Sequence, residues 1–270
     1  MSALRITVIT PACNAAATIA DTIASVLAQS HHDVQLIIID DGSTDDTAAV
    51  AARFVDPRIA VIRQPNAGVA AARNRGMAEA DGDAQLFLDA DDWLAPDALA
   101  RLSATLQTAP EAVAAVGPYA RVYPDGAVRP AAYRPPAAPC DLLPRLIVQN
   151  RFANGGHVLV RRGAALDAGN FRAGIVYGED WEFFIRLALH GRFAFVPARQ
   201  PLLFVRVRAE GAYRRRAADP VAFHPAMAAI FGNPDLLRRF GPARLAALRR
   251  RAEAENAWIV GRELVRQGRA

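Results

Sequence analysis

Apolar and polar positions follow two alternating rhythms along the first part of the chain. Leu4 to Thr10 alternates and is rich in β-branched residues, which predicts a first strand, and Pro11 is expected to end its pairing. Ile19, Ile23, Val26 and Leu27 then recur at helical spacing to about Gln29, with Asn14 or Thr18 as the cap. Val34 to Ile39 is a mainly apolar second strand. A helix capped by Ser43 or Thr44 follows to about Phe54, with Asp45 and Asp46 in its first turn. Ile59 to Arg63 is a third strand, and an Ala-rich helix runs to about Ala80. Leu86-Phe87-Leu88 is a fourth strand that meets three carboxylates, and Pro96 opens a helix to about Thr108. Val113 to Val116 closes this half.

Strand and helix in turn, with short connections, predict an α/β fold with a mainly parallel central sheet flanked by helices. Right-handed crossovers put the C-terminal ends of such strands on one edge. Pro11, Asp40-Asp41 and Asp89-Ala90-Asp91-Asp92 are therefore expected to meet there, where open α/β sheets bind ligands. Beyond this half the pattern weakens. Residues 118–139 hold six prolines and predict a long loop or a crossing to a second layer. Helix is expected over 141–149, strand at His157 to Val160, and an amphipathic helix over Glu179 to His190. Strands at Phe193 to Val196 and Leu202 to Val207 precede a helical C-terminal extension, broken at Pro234 and Gly241-Pro242.

Composition narrows the classes. Of 270 residues, 52% are apolar, enough for a sizeable core. No apolar run nears the roughly 20 residues of a membrane span. The chain enters a strand pattern almost at once, so no signal peptide is expected. Cys13 and Cys140 fit free thiols of a cytoplasmic protein. The net charge of +5 is unevenly spread. Residues 201–270 carry 14 arginines against 6 acids, and the chain has no lysine. Such an end suits phosphate or a peripheral contact with the inner face of an anionic membrane, and equally a solvated helical surface. It lacks the interleaved aromatics of a nucleic-acid-binding surface.

The acids after the fourth strand carry the chemistry. A hard divalent cation takes one or two carboxylates plus substrate phosphates, and Asp89 and Asp91, one residue apart, can supply them. A helix cap is the plainer reading, and Asp92 suits it. A calcium hand is excluded, because Leu94 and Ala100 stand where Gly and Glu would be needed. Asp40-Asp41-Gly42-Ser43 alone reads as a turn, but beside the other acids a carboxylate there can bind a nucleobase or ribose. Arg73, after the Asn66-Ala67-Gly68 turn, can fork onto a phosphate. Glu179-Asp180 alone reads as acids at a helix start. His157 reads as a satisfied strand-end histidine or, alternatively, an acceptor contact.

Five motifs in order give a resemblance. Thr10-Pro11-Ala12-Cys13-Asn14, Asp40-Asp41-Gly42-Ser43-Thr44-Asp45, Asn66-Ala67-Gly68 with Ala72-Arg73-Asn74, Leu88-Asp89-Ala90-Asp91-Asp92 and Gly178-Glu179-Asp180-Trp181-Glu182 resemble family 2 inverting glycosyltransferases. That family has the nucleotide-sugar fold called GT-A. The resemblance implies a nucleoside-diphosphate sugar donor, here a UDP-sugar, with Mn²⁺ or Mg²⁺. Pro11, Asp41, Asn66, Arg73 and Asp89 would hold the nucleotide. Asp91 would bind the metal with Asp89, and Asp180 would be the general base on a glycan or lipid-linked acceptor. It also implies a nucleotide-sugar half over 1–117, an acceptor and catalytic half of the same domain over 118–217, and a basic extension over 218–270. Cys13 stands where relatives often place an aromatic residue. No His follows Phe204-Val205-Arg206-Val207-Arg208, so Arg208 or Arg214-Arg215-Arg216 would meet the phosphates.

Other classes fit less well. A haloacid-dehalogenase phosphatase or a response-regulator receiver would want a lysine. A sugar nucleotidyltransferase would want a Gly-rich phosphate loop after strand one. A nucleotide-sugar-binding protein without catalysis is the remaining alternative, and Asp91 with Asp180 argues against it.

Overall fold

The computed structural model describes residues 4–198, 200–208 and 217–269. The Arg214-Arg215-Arg216 run lies outside them. Seven strands form the central sheet, in the order β10-β6-β9-β4-β1-β2-β3. They are β1 (Ile6–Ala12), β2 (Val34–Asp41), β3 (Ile59–Gln64), β4 (Ala84–Phe87), β6 (Ala112–Val116), β9 (Val158–Arg161) and β10 (Arg192–Phe195). β1 pairs in parallel with β2 and β4, and β2 with β3. Only β9 runs antiparallel, between β4 and β6. The late strands thus complete one sheet with the early ones.

Helices cover both faces, as the apolar strands require. One core packs Ile9, Ile37 and Phe87 against Trp181, Phe183 and Phe184 of α7 (Glu179–His190). The other packs Val8, Leu36, Ile38 and Leu86 against Ile19 and Ile23 of α1 (Ile19–Leu27) and Leu99 and Leu102 of α4 (Ala98–Gln107). Both cores use neighbouring residues of the same strand, because successive side chains point to opposite faces.

Several expectations are corrected. β1 continues through Pro11, which aligns with Ile39. Proline lacks only the N–H, so its carbonyl remains available at a strand end. The helix expected from Ser43 to Phe54 shrinks to α2 (Thr47–Ala51). Ser43 and Thr44 are drawn away to the loop after β1, where the Asn14 N–H donates to Ser43 Oγ and the Thr44 N–H to Asn14 Oδ1. The proline-rich segment is partly ordered into β7 (Tyr119–Val122) and β8 (Val128–Pro130). These join β5 (Trp93–Leu94) and β11 (Leu203–Arg206) in a second sheet, ordered β5-β11-β7-β8. It is the second layer that the prolines left open. Helices His224–Phe231, Pro234–Phe240 and Pro242–Arg266 end the chain, with breaks at Pro234 and Gly241-Pro242 as expected. Among the described residues no helix is long and apolar enough to cross a membrane.

Candidate active site

The loops after β1 and β4, the start of α3 (Val69–Glu79) and the start of α7 line one cavity of about 1030 Å³. Pro11, Arg73, Asp89, Asp91 and Asp180 reach it; Asp41 is buried behind the Ala67-Gly68 turn of its wall, and the exposed Asn66 precedes that turn. Asp41 is buried at the end of β2. Its Oδ1 accepts from Gln64 Nε2 at 2.7 Å and the Ala67 N–H at 2.9 Å, and its Oδ2 from the Gly68 N–H at 2.8 Å. Asn66 closes the circle by donating to the Asp41 carbonyl at 2.8 Å. Gly42 must be glycine here, since it has φ +70° and a Cβ would lie 2.6 Å from the Asn66 nitrogen. The motif expected to touch the nucleotide therefore shapes the turn that walls the cavity.

The acids after β4 have different partners. β4 ends at Phe87, so Asp89 lies beyond the sheet, as the cost of an unpaired charge inside a buried strand requires. Asn154 Nδ2 bridges Asp89 Oδ2 at 3.1 Å and Asp92 Oδ2 at 2.6 Å. Asn154 can approach because the next residue is Gly155, where a Cβ would sit 2.7 Å from that of Phe87. Asp92, expected to turn the chain into the next helix, instead accepts from the Arg206 N–H of β11 at 2.9 Å. It ties the two sheets together. Asp91 pairs with Arg208 at 3.3 Å and is half-buried.

Burial, then mutual repulsion with neighbouring acids, pushes the carboxyls of Asp91 and Asp92 above the ordinary range. Arg208 partly offsets this at Asp91. A divalent cation in that crevice would relieve the same repulsion. No group of three or more metal-ligating side chains exists among the described residues. Asp91 with Asp89 fits the partial shell that Mg²⁺ or Mn²⁺ uses when substrate phosphates complete it.

Arg73 joins these acids to α7. It is buried, with Nη2 3.0 Å from Asp89 Oδ1 and Nη1 2.8 Å from Glu179 Oε1. Its fork, expected to face a phosphate, is committed to two carboxylates. Burial opposes its charge, but Asp89 and Glu179 outweigh that and raise its pKa. Phe171 stacks below it at 5.3 Å. Asp180 is the next residue after Glu179. Burial first, and then Glu179, pushes its carboxyl up to about 7, against the pull of Arg73. The Trp181 N–H donates to Asp180 Oδ1 at 2.6 Å, and Asn150 Nδ2 lies 3.4 Å from the same oxygen. A carboxyl held near neutrality beside a cavity suits proton transfer.

His157 is buried away from these acids. Its Nδ1 lies 2.7 Å from the Gly117 carbonyl, and the Ala153 N–H donates to its Nε2 at 3.2 Å. The ring is therefore neutral with its proton on Nδ1, and burial pushes its pKa down to about 4. It is a satisfied strand-end histidine. Sequence reading missed Asn154, Asn150 and the Arg73–Glu179 link. The polar Asn154 before paired glycines was the one signal available.

The model of glycosyl transferase family 2 matches residues 7–166. TuaG of Bacillus subtilis strain 168, a glycosyltransferase whose name assigns it provisionally to teichuronic acid biosynthesis, is 43% identical over 97 residues, 35% of this chain and 38% of TuaG. The chain spans less than two thirds of the curated relatives it matches, from 14% to 64% of their lengths. Among solved structures, S. aureus TarS 1-349 in complex with UDP-GlcNAc has a TM-score of 0.74 at 19% identity, over 96% of this chain and 71% of TarS. The mannosyltransferase PcManGT from Pyrobaculum calidifontis, in complex with GDP-Man and Mn²⁺, has a TM-score of 0.67 at 18% identity, over 98% of this chain and 74% of PcManGT. At those identities the structures establish the GT-A fold.

Proposed function

The chain belongs to glycosyl transferase family 2, and on that premise we propose that it moves a sugar from a nucleoside diphosphate to a hydroxyl acceptor with inversion. The observation that carries this reading is that one buried arginine, Arg73, links Asp89 of the acid cluster to Glu179, next to Asp180, in the wall of one cavity. Donor-side and acceptor-side acids thus share a reaction space. Asp180 takes the acceptor hydroxyl proton, the hydroxyl oxygen bonds to the anomeric carbon, and the bond from that carbon to the diphosphate breaks. One base on one face suffices for a single displacement, by analogy with inverting glycosidases. Asp91, with Asp89, would hold Mn²⁺ or Mg²⁺, which as a Lewis acid stabilises charge on the leaving diphosphate. Arg208 stands beside Asp91, where it can pass to a diphosphate oxygen.

Pro11 borders the cavity directly, whereas Asp41 and Asn66 would act on the nucleotide through the Ala67-Gly68 turn. A UDP-sugar is our donor, in keeping with the UDP-GlcNAc bound by TarS. A glycan or lipid-linked acceptor in surface polysaccharide assembly accords with the naming of TuaG. Residues 1–117 would serve the donor and 118–217 the acceptor. The exposed Arg244, Arg249, Arg250 and Arg251 suit peripheral contact with an anionic cytoplasmic membrane face. The test is a thermal-shift screen of nucleoside-diphosphate sugars with and without Mn²⁺, on wild type and Asp91→Ala. A ligand that binds the folded state raises its melting temperature. We expect a metal-dependent rise that Asp91→Ala loses; binding indifferent to both metal and Asp91 would overturn the donor site.

A further inference from the structure

The cavity carries a second set of cations that the reaction above does not use. Arg73, Arg208 and Arg262 line it, and each is matched by an acid: Asp89 and Glu179, Asp91, and Glu263 respectively. Arg121 and Arg151 line it too, and neither has a carboxylate partner among the described residues. Arg121 lies over the ring of Tyr119 at 5.3 Å, and Arg151 donates to Gln149 Oε1 at 3.3 Å. Tyr119 and Phe152, the neighbour of Arg151, both pack against one small buried group, the His157 ring, at 5.0 and 5.7 Å. The two guanidinium groups without a carboxylate partner are thus tied to one part of the cavity lining.

The C-terminal helix extends that wall. Gln149 Nε2 reaches Glu255 Oε2 at 3.4 Å, and the adjacent Asn256 lines the cavity. Asn256 is buried, and its amide nitrogen has no acceptor among the described residues. A native interior seldom leaves such a donor unpaired without a role for it. Unmatched positive charge in a low-dielectric cleft draws anions, and a guanidinium matches the oxygens of a phosphate or carboxylate.

We propose that Arg121 and Arg151, with Asn256 beside them, bind an oxyanion on the acceptor, so that the acceptor is a phosphate- or carboxylate-bearing glycan and not a neutral sugar. This rests on the glycosyl-transfer reading. The test measures binding of sn-glycerol 3-phosphate and of galacturonate against neutral glycerol and galactose, by calorimetry or NMR titration. It is run without nucleotide and then with Mn²⁺ and saturating UDP or GDP, which fills the donor end. At least one anion should bind about tenfold or more tighter than its neutral counterpart, and lose that preference in high salt. Arg121→Ala and Arg151→Ala, both on exposed side chains, should each weaken it about tenfold and leave nucleotide affinity unchanged. The phosphate and carboxylate arms identify which group is read. Equal binding of charged and neutral probes, or wild-type anion affinity in both variants, would overturn the proposal. Absence of nucleotide binding would instead strike the transfer reading, and the nucleotide-free arms would still decide the anion site.

Discussion

Two strands of this sheet end in acids, and the two ends have become different things. β2 closes on Asp40-Asp41, and β4 runs out into Asp89-Ala90-Asp91-Asp92. Asp41 accepts three hydrogen bonds, two of them from backbone N–H groups of one turn. Asp40 accepts from the Ser43 N–H at 3.0 Å and pairs with Arg63 at 3.3 Å. Those oxygens organise loops. Asp89 and Asp91 instead meet arginines on the cavity wall, and burial pushes Asp91 and Asp92 toward protonation, helped at Asp91 by Asp89 and at Asp92 by Asp91 and Asp89. The Asp41 carboxylate, satisfied by fixed donors, is finished; Asp40 Oδ2 has only its ion pair with Arg63; and Asp91, held among like charges, still has favourable interactions to gain. Acids at a strand end mark the right edge of the sheet, but their donors decide which of them can bind a ligand.

The largest expected effects fall on the second group. Asp91→Ala should cut transfer roughly thousandfold or more, because a Lewis acid supplies several kcal/mol of charge stabilisation. Its activity should no longer respond to added Mn²⁺. A metal response that survives in Asp91→Ala but vanishes in Asp41→Ala would invert the comparison. Asp180 lies on neither strand and sharpens the point. Asp180→Asn should lower kcat by about 10²–10⁴-fold, the usual contribution of a general base, and leave nucleotide affinity near wild type. Since the carboxyl is pushed up to about 7 and acts when deprotonated, wild-type kcat should fall as pH drops through about 7. That limb should disappear in Asp180→Asn; a flat wild-type profile from pH 6 to 8 would remove Asp180 as the base.

The parallel half of the fold was legible because its signals are local. Unbroken apolar runs, helical spacing and the handedness of crossovers suffice to bring Pro11, Asp41 and Asp89 to one edge. The β7–β8 hairpin was not legible. Tyr119–Val122 has one buried and one exposed residue between half-buried ends, and Val128–Pro130 is exposed throughout and ends in proline, so neither shows a clear period of two. The site divides along the same line. That Asp91 and Asp180 border one cavity follows the motif order, but Arg73 binds Glu179 from 106 positions away, and no periodicity reports such a link. The orientation of Asp41 depends on the N–H groups of Ala67 and Gly68, whose direction is set by backbone angles that residue identity only weakly constrains. Asn154 was hidden for another reason: its value lies in the two acids it bridges.

A moderate effect is expected at Asp41. Asp41→Asn exchanges one acceptor oxygen for an NH₂ that faces backbone donors. It should therefore cost about 1–3 kcal/mol in urea unfolding. Metal dependence should persist in the folded protein, since Asp91 is untouched. A variant of full stability that no longer binds nucleotide would place Asp41 among direct ligands and erase the contrast with Asp91.

The smallest expected effect tests whether the β2 acids are finished by the chain itself. Arg63 has a side chain 67% exposed, whereas that of its partner Asp40 is 0% exposed. An exposed cation is screened by water, so such a pair contributes at most about 1 kcal/mol. Arg63 also donates to the Ser43 carbonyl at 3.1 Å, a bond that water can replace. Arg63→Met, which keeps much of the apolar stem, should thus shift urea unfolding by less than about 1 kcal/mol. The small remaining effect should shrink further in high salt. A loss of about 3 kcal/mol or more would mean that Asp40 is a buried charge dependent on its one cation. Asp40 would then resemble Asp89 in its need for an arginine, and the β2 end would depend on its cation as the β4 end does.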